Sequence, residues 1–380
     1  MLRQLVRLIL RLLYRVEIRG EWPRPRPPRL VVIANHQSLL DAALLFAFLP
    51  WKVVWVVHAD IWRQRRFRLL IRWFPHIVVD PLRPAAVREI LREIEAGRPV
   101  VLFPEGRITV TGGLMKIYES AAFVALATGA AILTVFIDGA IYTVFSRMKP
   151  PFPRRLFPRI RLTVLEPRTI PRPEALSRKA ARRAAARRLR GLLEEACVVS
   201  RPRTTLFEAL ADAAALYGRR TEILDDILQE GRTYAWLLRA SLALCRLVRR
   251  ISREGEAVGV LMPNLAPTAA LVFGIVAARR VAAVLNFTAG LEGLQSAVEA
   301  ATVRTILTSR AFLERARLAD KLSSLAGVRL LYLEDLRTAL GFSDKLWLAG
   351  WARWFPKRAA ARASASDPAV ILFTSGSEAR

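Results

Sequence analysis

The chain of 380 residues predicts an α/β fold, with two layered domains in succession. Three observations carry that prediction. Short apolar runs of strand length alternate with helix-period stretches through the first half, the pattern of a layered α/β domain. The length suffices for two domains, each with its own core. The pattern then restarts at residues 255–264, a strand leading to a turn, followed by an apolar helix over 266–280.

In chain order, the first element is a helix over 1–20. Arg3, Arg7, Arg11 and Arg15 recur every four residues among Leu2, Leu5, Val6, Leu8, Ile9, Leu12 and Leu13, with no acidic residue before Glu17. At 3.6 residues per turn the arginines form one drifting stripe on an apolar cylinder. They interrupt every possible signal core, and no small-residue cleavage site follows. This is the pattern of a helix lying in a membrane interface.

Strand candidates follow at 30–34, 53–57, 77–79, 100–103, 132–137 and 160–165, and helix candidates at 40–48, 84–96 and 119–127. Residues 120–137 are uncharged, but Gly129 splits them into an alanine-rich helix and a β-branched strand, as in a buried α/β unit. Residues 150–158 read as an irregular, proline-rich loop. A basic helix covers 177–197, closing a first domain over 21–197. Residues 198–205, with Pro202, form the linker, and the second domain spans 206–380.

Charge narrows the partners. The formal net charge is +28 with 53% hydrophobic residues, so an anionic partner is expected: nucleic acid, an acidic membrane surface or an acidic protein. The arginines sit among tryptophans, notably Trp51, Trp55, Trp62 and Trp73 with Arg63, Arg65, Arg68 and Arg72, and no nucleic-acid reading module is present. That mixture suits lipid headgroups. Cys197 and Cys245 are far apart, without metal spacing or a disulfide framework.

Two motifs carry the chemistry. Asn35-His36-Gln37-Ser38-Leu39-Leu40-Asp41 follows the first central apolar run, and Phe103-Pro104-Glu105-Gly106-Arg107-Ile108-Thr109 follows another. A histidine at a strand mouth, five residues before an aspartate that fixes its tautomer, is a ready general base. Ser38 to Asp41 reads equally as a helix capping box. Glu105-Gly106-Arg107 places a guanidinium fork at a strand end, where it can hold a phosphate. Together they point to acyl transfer onto a phosphorylated alcohol.

In this order the motifs resemble those of the glycerophospholipid acyltransferase family, over roughly residues 15–195. The resemblance implies that His36 deprotonates the acceptor hydroxyl, which attacks an acyl thioester, and that Asp41 orients the imidazole. It implies that Asn35, Glu105, Gly106 and Arg107 shape the substrate site, with Arg107 on the acceptor phosphate. No cofactor or metal is implied for the transfer. The chain departs from the family twice. After Ile77-Val78-Val79-Asp80 comes Pro81 where an arginine commonly stands, with Arg83 two residues on. Thr134-Val135-Phe136 lacks a proline, a change expected to alter only the end of a strand.

The second half closes on Val370-Ile371-Leu372-Phe373 and then Thr374, Ser375, Gly376 and Ser377. Such a strand supplies hydroxyls and backbone N–H groups that cradle phosphate oxygens. The run resembles the phosphate loop of the adenylate-forming, acyl-activating superfamily. The domain order resembles the bifunctional 2-acylglycerophosphoethanolamine acyltransferase/acyl-carrier-protein synthetase family. That resemblance implies an acyl carrier protein as donor, a 2-acyl lysophospholipid as acceptor, and the cytoplasmic face of a bacterial inner membrane as location. It also implies an incomplete, inactive synthetase half, with ATP and Mg needed only were that half complete. The rival expectations are a 1-acylglycerol-3-phosphate acyltransferase and a non-catalytic fragment.

Overall fold

The computed structural model describes residues 1–80, 85–171, 177–225, 231–318, 325 and 327–373. It divides into two compact units, Met1–Pro202 and Arg203–Arg380.

The first unit is built on a seven-stranded sheet. Its strands are β1 (Glu17–Arg19), β2 (Leu30–Ala34), β3 (Val54–His58), β4 (His76–Val79), β5 (Val100–Leu102), β6 (Ala131–Asp138) and β7 (Arg161–Val164), in the order β1-β7-β6-β2-β5-β3-β4. Every pairing is parallel except β6 with β7. The central strand β2 is buried at every residue because both faces are covered. Val31 and Ile33 join a core with α5 (Ala85–Glu95), α6 (Glu119–Thr128) and α7 (Arg178–Ser200). Leu30, Val32 and Ala34 point the other way, onto α1 (Leu2–Tyr14) and α2 (Leu40–Phe48), while the short α3 (Ala59–Arg63) and α4 (Arg65–Ile71) connect β3 to β4. Alternation along one strand thus holds two helical layers on one sheet.

Four expectations change here. The helix expected over 1–20 ends at Tyr14, where Arg15 turns left-handed at φ 47°, and β1 follows because Glu17 to Arg19 pair with β7. Within α1 the half-buried Arg7 leans onto α2: its Nε donates to Ala47 O at 2.8 Å, and the guanidiniums of Arg7 and of the exposed Arg11 lie 5.7 Å from the Phe48 ring centre. Leu2, Leu5, Leu8, Ile9, Leu12 and Leu13 are left exposed. Second, Thr134-Val135-Phe136 lies in the middle of β6 rather than at a strand end. Without a proline each N–H stays available to the ladder. Third, the aromatic-basic stretch divides. Trp51 and Trp55 pack against the core, whereas Trp73, with Arg72 over its ring, is exposed. Fourth, α7 runs on to Ser200 and absorbs the first residues of the expected linker. Asp80 lies 3.7 Å from Arg63; Pro81, Arg83 and Pro84 fall outside the described residues.

The second unit carries a parallel five-stranded sheet, β13-β12-β10-β11-β14. These strands are β10 (Ala257–Val260), β11 (Val281–Val284), β12 (Thr305–Thr308), β13 (Arg329–Tyr332) and β14 (Val370–Leu372), beside a small hairpin of β8 (Glu222–Leu224) and β9 (Arg232–Thr233). One core gathers Val258, Val260 and Ala282 with α8 (Leu206–Tyr217), α9 (Tyr234–Ile251) and α10 (Ala266–Ala277). The opposite core sets Ala283 and Ile306 against α11 (Gly290–Ala300) and α12 (Arg310–Ala316). α10 stops before residue 280 because Arg279 turns left-handed at φ 61° and the buried Arg280 bonds the carbonyls of Ser252 and Ala278. Thr374 to Ser377 lie outside the described residues.

Candidate active site

The site begins where β2 ends. Asn35 continues the strand with its side chain. Its Nδ2 donates to Ile137 O at 2.9 Å, and Ile137 N donates to Asn35 Oδ1 at 2.7 Å, so the amide imitates one more peptide against β6. Asn35 is 3% exposed, and both its polar atoms are occupied. Its part is therefore to aim the next residue.

That residue is His36. Its N–H donates to Glu105 Oε1 at 2.9 Å, and its carbonyl accepts from Thr109 N at 2.8 Å, so the second motif clamps the backbone of the first. Nδ1 lies 2.8 Å from Asp41 Oδ2. The same oxygen accepts from the backbone N–H groups of Gln37 at 2.5 Å and Ser38 at 2.8 Å, and Oδ1 accepts from Ser38 Oγ at 3.1 Å. Asp41 is fully buried. Asp41 holds the imidazole and also takes the Ser38 N–H, but the expected capping box does not close: Ser38 Oγ donates to Asp41 and accepts from Leu40 N, and the helix N-cap is Leu39, without a side-chain cap. A carboxylate at Nδ1 assigns the proton to that nitrogen and leaves the Nε2 lone pair free. Nε2 has no hydrogen-bond partner among the described residues. The Phe103 ring stacks on the imidazole, centroids 4.1 Å apart and planes 14° apart, and fixes its tilt.

Glu105 bridges rather than reacts. Its second oxygen accepts from Met115 N at 2.6 Å, so one buried carboxylate joins the His36 segment to the loop before α6. Burial raises its pKa above the ordinary 4.5, opposed by the backbone N–H groups of Met115 and His36. Gly106 has φ 65°, and a Cβ there would stand 2.8 Å from the Tyr118 ring, so the turn admits only glycine comfortably. Arg107 beyond it is exposed and makes no ion pair with a described residue.

A cavity of about 280 Å³ opens on this assembly. Asn35, His36, Glu105 and Thr109 form one wall, and α7 forms another with Arg190, Glu194 and Cys197, extended by Arg201 just after the helix. Arg190 is held by Glu194 at 2.7 Å, whereas the charge of Arg201 acts on Asp138. Arg107 is not part of this lining. Sequence reasoning missed Thr109, Phe103 and the α7 wall. Thr109 and Phe103 were in view as motif members, but the basic helix carried no sign that it would return to the histidine.

An acyltransferase family model matches residues 15–138, which include both motifs, and an AMP-binding enzyme model matches residues 210–380. The chain carries an acyltransferase domain followed by an AMP-binding domain. A 1-acyl-sn-glycerol-3-phosphate acyltransferase from Cocos nucifera is 27% identical over 116 residues, covering 29% of this chain; the chain spans 38% of that relative's length. Among solved structures, the 1-acyl-sn-glycerophosphate (LPA) acyltransferase PlsC from Thermotoga maritima is 22% identical, with a TM-score of 0.38 over 53% of this chain and 82% of that one. VinN in complex with 3-methylaspartate is 24% identical, with a TM-score of 0.37 over 46% of this chain and 45% of that one. In the acyltransferase domain the His36–Asp41 pair occupies the end of the central strand, and the AMP-binding domain forms the separate second unit.

Proposed function

We propose that the first unit transfers a fatty acyl group from an acyl carrier protein thioester to the free hydroxyl of a lysophospholipid. The acceptor in this reading is a 2-acyl-glycerophosphoethanolamine, acylated at its sn-1 hydroxyl. The observation that carries it is the buried Asp41 at 2.8 Å from His36 Nδ1, with Nε2 unpartnered at the cavity.

The steps follow from that geometry. His36 Nε2 takes the hydroxyl proton as the alcohol oxygen attacks the thioester carbonyl, and Asp41 stabilises the imidazolium that forms. The tetrahedral intermediate collapses with loss of the thiolate, which recovers the proton from His36. Arg107 is the proposed phosphate contact. Arg190 and Arg201 are charged donors in the cavity wall for the acceptor's phosphate or the developing oxyanion. A fork-shaped guanidinium suits either anion.

The AMP-binding domain supports a donor produced by carboxylate activation, hence the carrier-protein thioester. No step through ATP or Mg is placed on the second unit, whose expected phosphate loop lies outside the described residues. A second acceptor, 1-acylglycerol 3-phosphate, is favoured by the name of the Cocos nucifera relative. The outward leucines of α1 support attachment to an anionic membrane, in this reading the cytoplasmic face of a bacterial inner membrane. No described helix is long and apolar enough to cross a membrane.

An acceptor panel tests the reading. Purified protein receives acyl carrier protein thioester and either 2-acyl-glycerophosphoethanolamine or 1-acylglycerol 3-phosphate in mixed micelles. Preferred acylation of the former is expected; preference for the latter selects the second acceptor, and turnover of neither sinks acyl transfer to lysophospholipids.

A further inference from the structure

Residues 342–359 of the second unit form three consecutive short helices, Phe342–Ala349, Trp351–Trp354 and Pro356–Ala359. Their inner residues are well anchored. Ala352 and Ala359 are buried, and Asp344, 1% exposed, is held by Arg246 and by Arg250 at 2.8 Å. Their outer residues are unusual for a water-facing surface. Phe342 is 82% exposed, Trp354 70% and Leu346 64%, and Trp351 and Phe355 stand out beside them with rings 4.7 Å apart.

The segment's own charge is nearly all of one sign. Residues 342–362 carry Lys345, Arg353, Lys357, Arg358 and Arg362 against the single acid Asp344, which is taken inward, although Lys357 is paired with Asp212 of α8. Arg353 lies 5.8 Å from the Trp354 ring centre and Arg358 5.6 Å from that of Phe355. Large exposed apolar side chains this dense in one short segment mark an interaction surface. Tryptophan with arginine at its edge matches the layer where acyl chains meet phosphates: the ring accepts the apolar side and the guanidinium finds the anion. A water-soluble acidic protein would satisfy the cations but leave Phe342 and Leu346 without an apolar partner.

We infer that the face bearing Phe342, Leu346, Trp351, Trp354 and Phe355 docks on an anionic lipid bilayer, as a second membrane contact separate from α1. The inference rests on residues of the second unit and does not depend on the acyl-transfer reading.

Hydrogen–deuterium exchange of the full chain tests it locally. Vesicles of phosphatidylcholine, with or without phosphatidylglycerol, are added to the Leu5→Glu/Leu12→Glu variant, so that α1 no longer contributes. Amides of 342–359 should be slowed by the phosphatidylglycerol vesicles and much less by neutral ones. Each basic residue near an anionic surface strengthens partitioning about fivefold, so Arg353→Gln/Arg358→Gln in that background should weaken it on the order of twentyfold. Unchanged exchange on adding anionic vesicles overturns the proposal. So does protection that rises with protein concentration alone, which would assign the face to a second copy of the chain.

Discussion

The backbone N–H of His36 donates to Oε1 of Glu105 at 2.9 Å, joining two motifs 69 residues apart into one site. The bond makes the position of the base depend on a carboxylate whose two oxygens are taken by backbone N–H groups. The consequences for the base, its clamp and its membrane contact are separable by substitution.

His36→Ala should abolish acyl transfer while vesicle binding stays unchanged, since the imidazole moves a proton and anchors nothing. General-base catalysis contributes roughly 10²–10⁴-fold. A loss below tenfold, measured as the rate of product formation from carrier-protein thioester, would remove His36 from that role. Asp41→Asn should also be slow, because an amide cannot offer the same charge to the imidazolium.

Glu105→Gln tests the clamp. An amide has one acceptor for the two N–H groups of His36 and Met115, so transfer should fall even though the residue touches no substrate in the proposed reaction. Its raised pKa also gives stability a sign. The folded state favours the protonated acid, so this contribution is full below the ordinary 4.5 and is lost as pH rises through the raised folded value. Urea midpoints of wild type and Glu105→Gln, compared from about pH 4 to 7, should converge on the acid side, with wild type losing ground to the variant as pH rises. Parallel curves would show that burial does not perturb this carboxyl.

Asn35→Ala should destabilise the first unit rather than merely weaken substrate binding. It leaves the buried N–H and C=O of Ile137 without partners, and an unsatisfied buried group costs about 1–3 kcal/mol. Thermal unfolding is the measurement; an unchanged midpoint with lost activity would make Asn35 a substrate contact instead.

Arg107→Lys and Arg201→Gln separate the phosphate contacts. Lysine keeps the charge but loses the fork. Should Arg107 hold the phosphate, its variant should raise the acceptor KM while Arg201→Gln leaves KM near wild type. The reverse pattern would move the contact to the α7 wall. Equal kinetics for both variants and wild type would leave the phosphate to neither.

Leu5→Glu/Leu12→Glu, both on the exposed face of α1, should release the first unit from anionic vesicles without affecting its thermal midpoint. Retained protection of residues 2–14 in hydrogen exchange with vesicles would show that this face does not enter the bilayer.

Much of this was legible in the chain. The apolar run 30–34 carried the central strand, and Asn35 to Asp41 carried the pairing of His36 with Asp41, because local spacing decides which residues a strand end and the following helix turn bring together. The Glu105 clamp was not legible, since it joins residues 69 apart in the chain. The docking of Arg7 onto α2 was not legible. Periodicity places Arg3, Arg7 and Arg11 on one side, but only packing decides which side meets Ala47 and Phe48 and which is left outside. The same holds for Asn35, whose amide has a use only once β2 lies beside β6, and for Arg190 and Arg201, which reach the cavity through the path of α7 across the sheet. Sequence by itself determined the chemistry available at residues 35–41 and 103–109, where partners are near in the chain or on adjoining strand ends. Tertiary structure alone decided how the distant walls, β6 and α7, close on them, since those approaches arise from burying both faces of one sheet and leave no periodic mark in the chain.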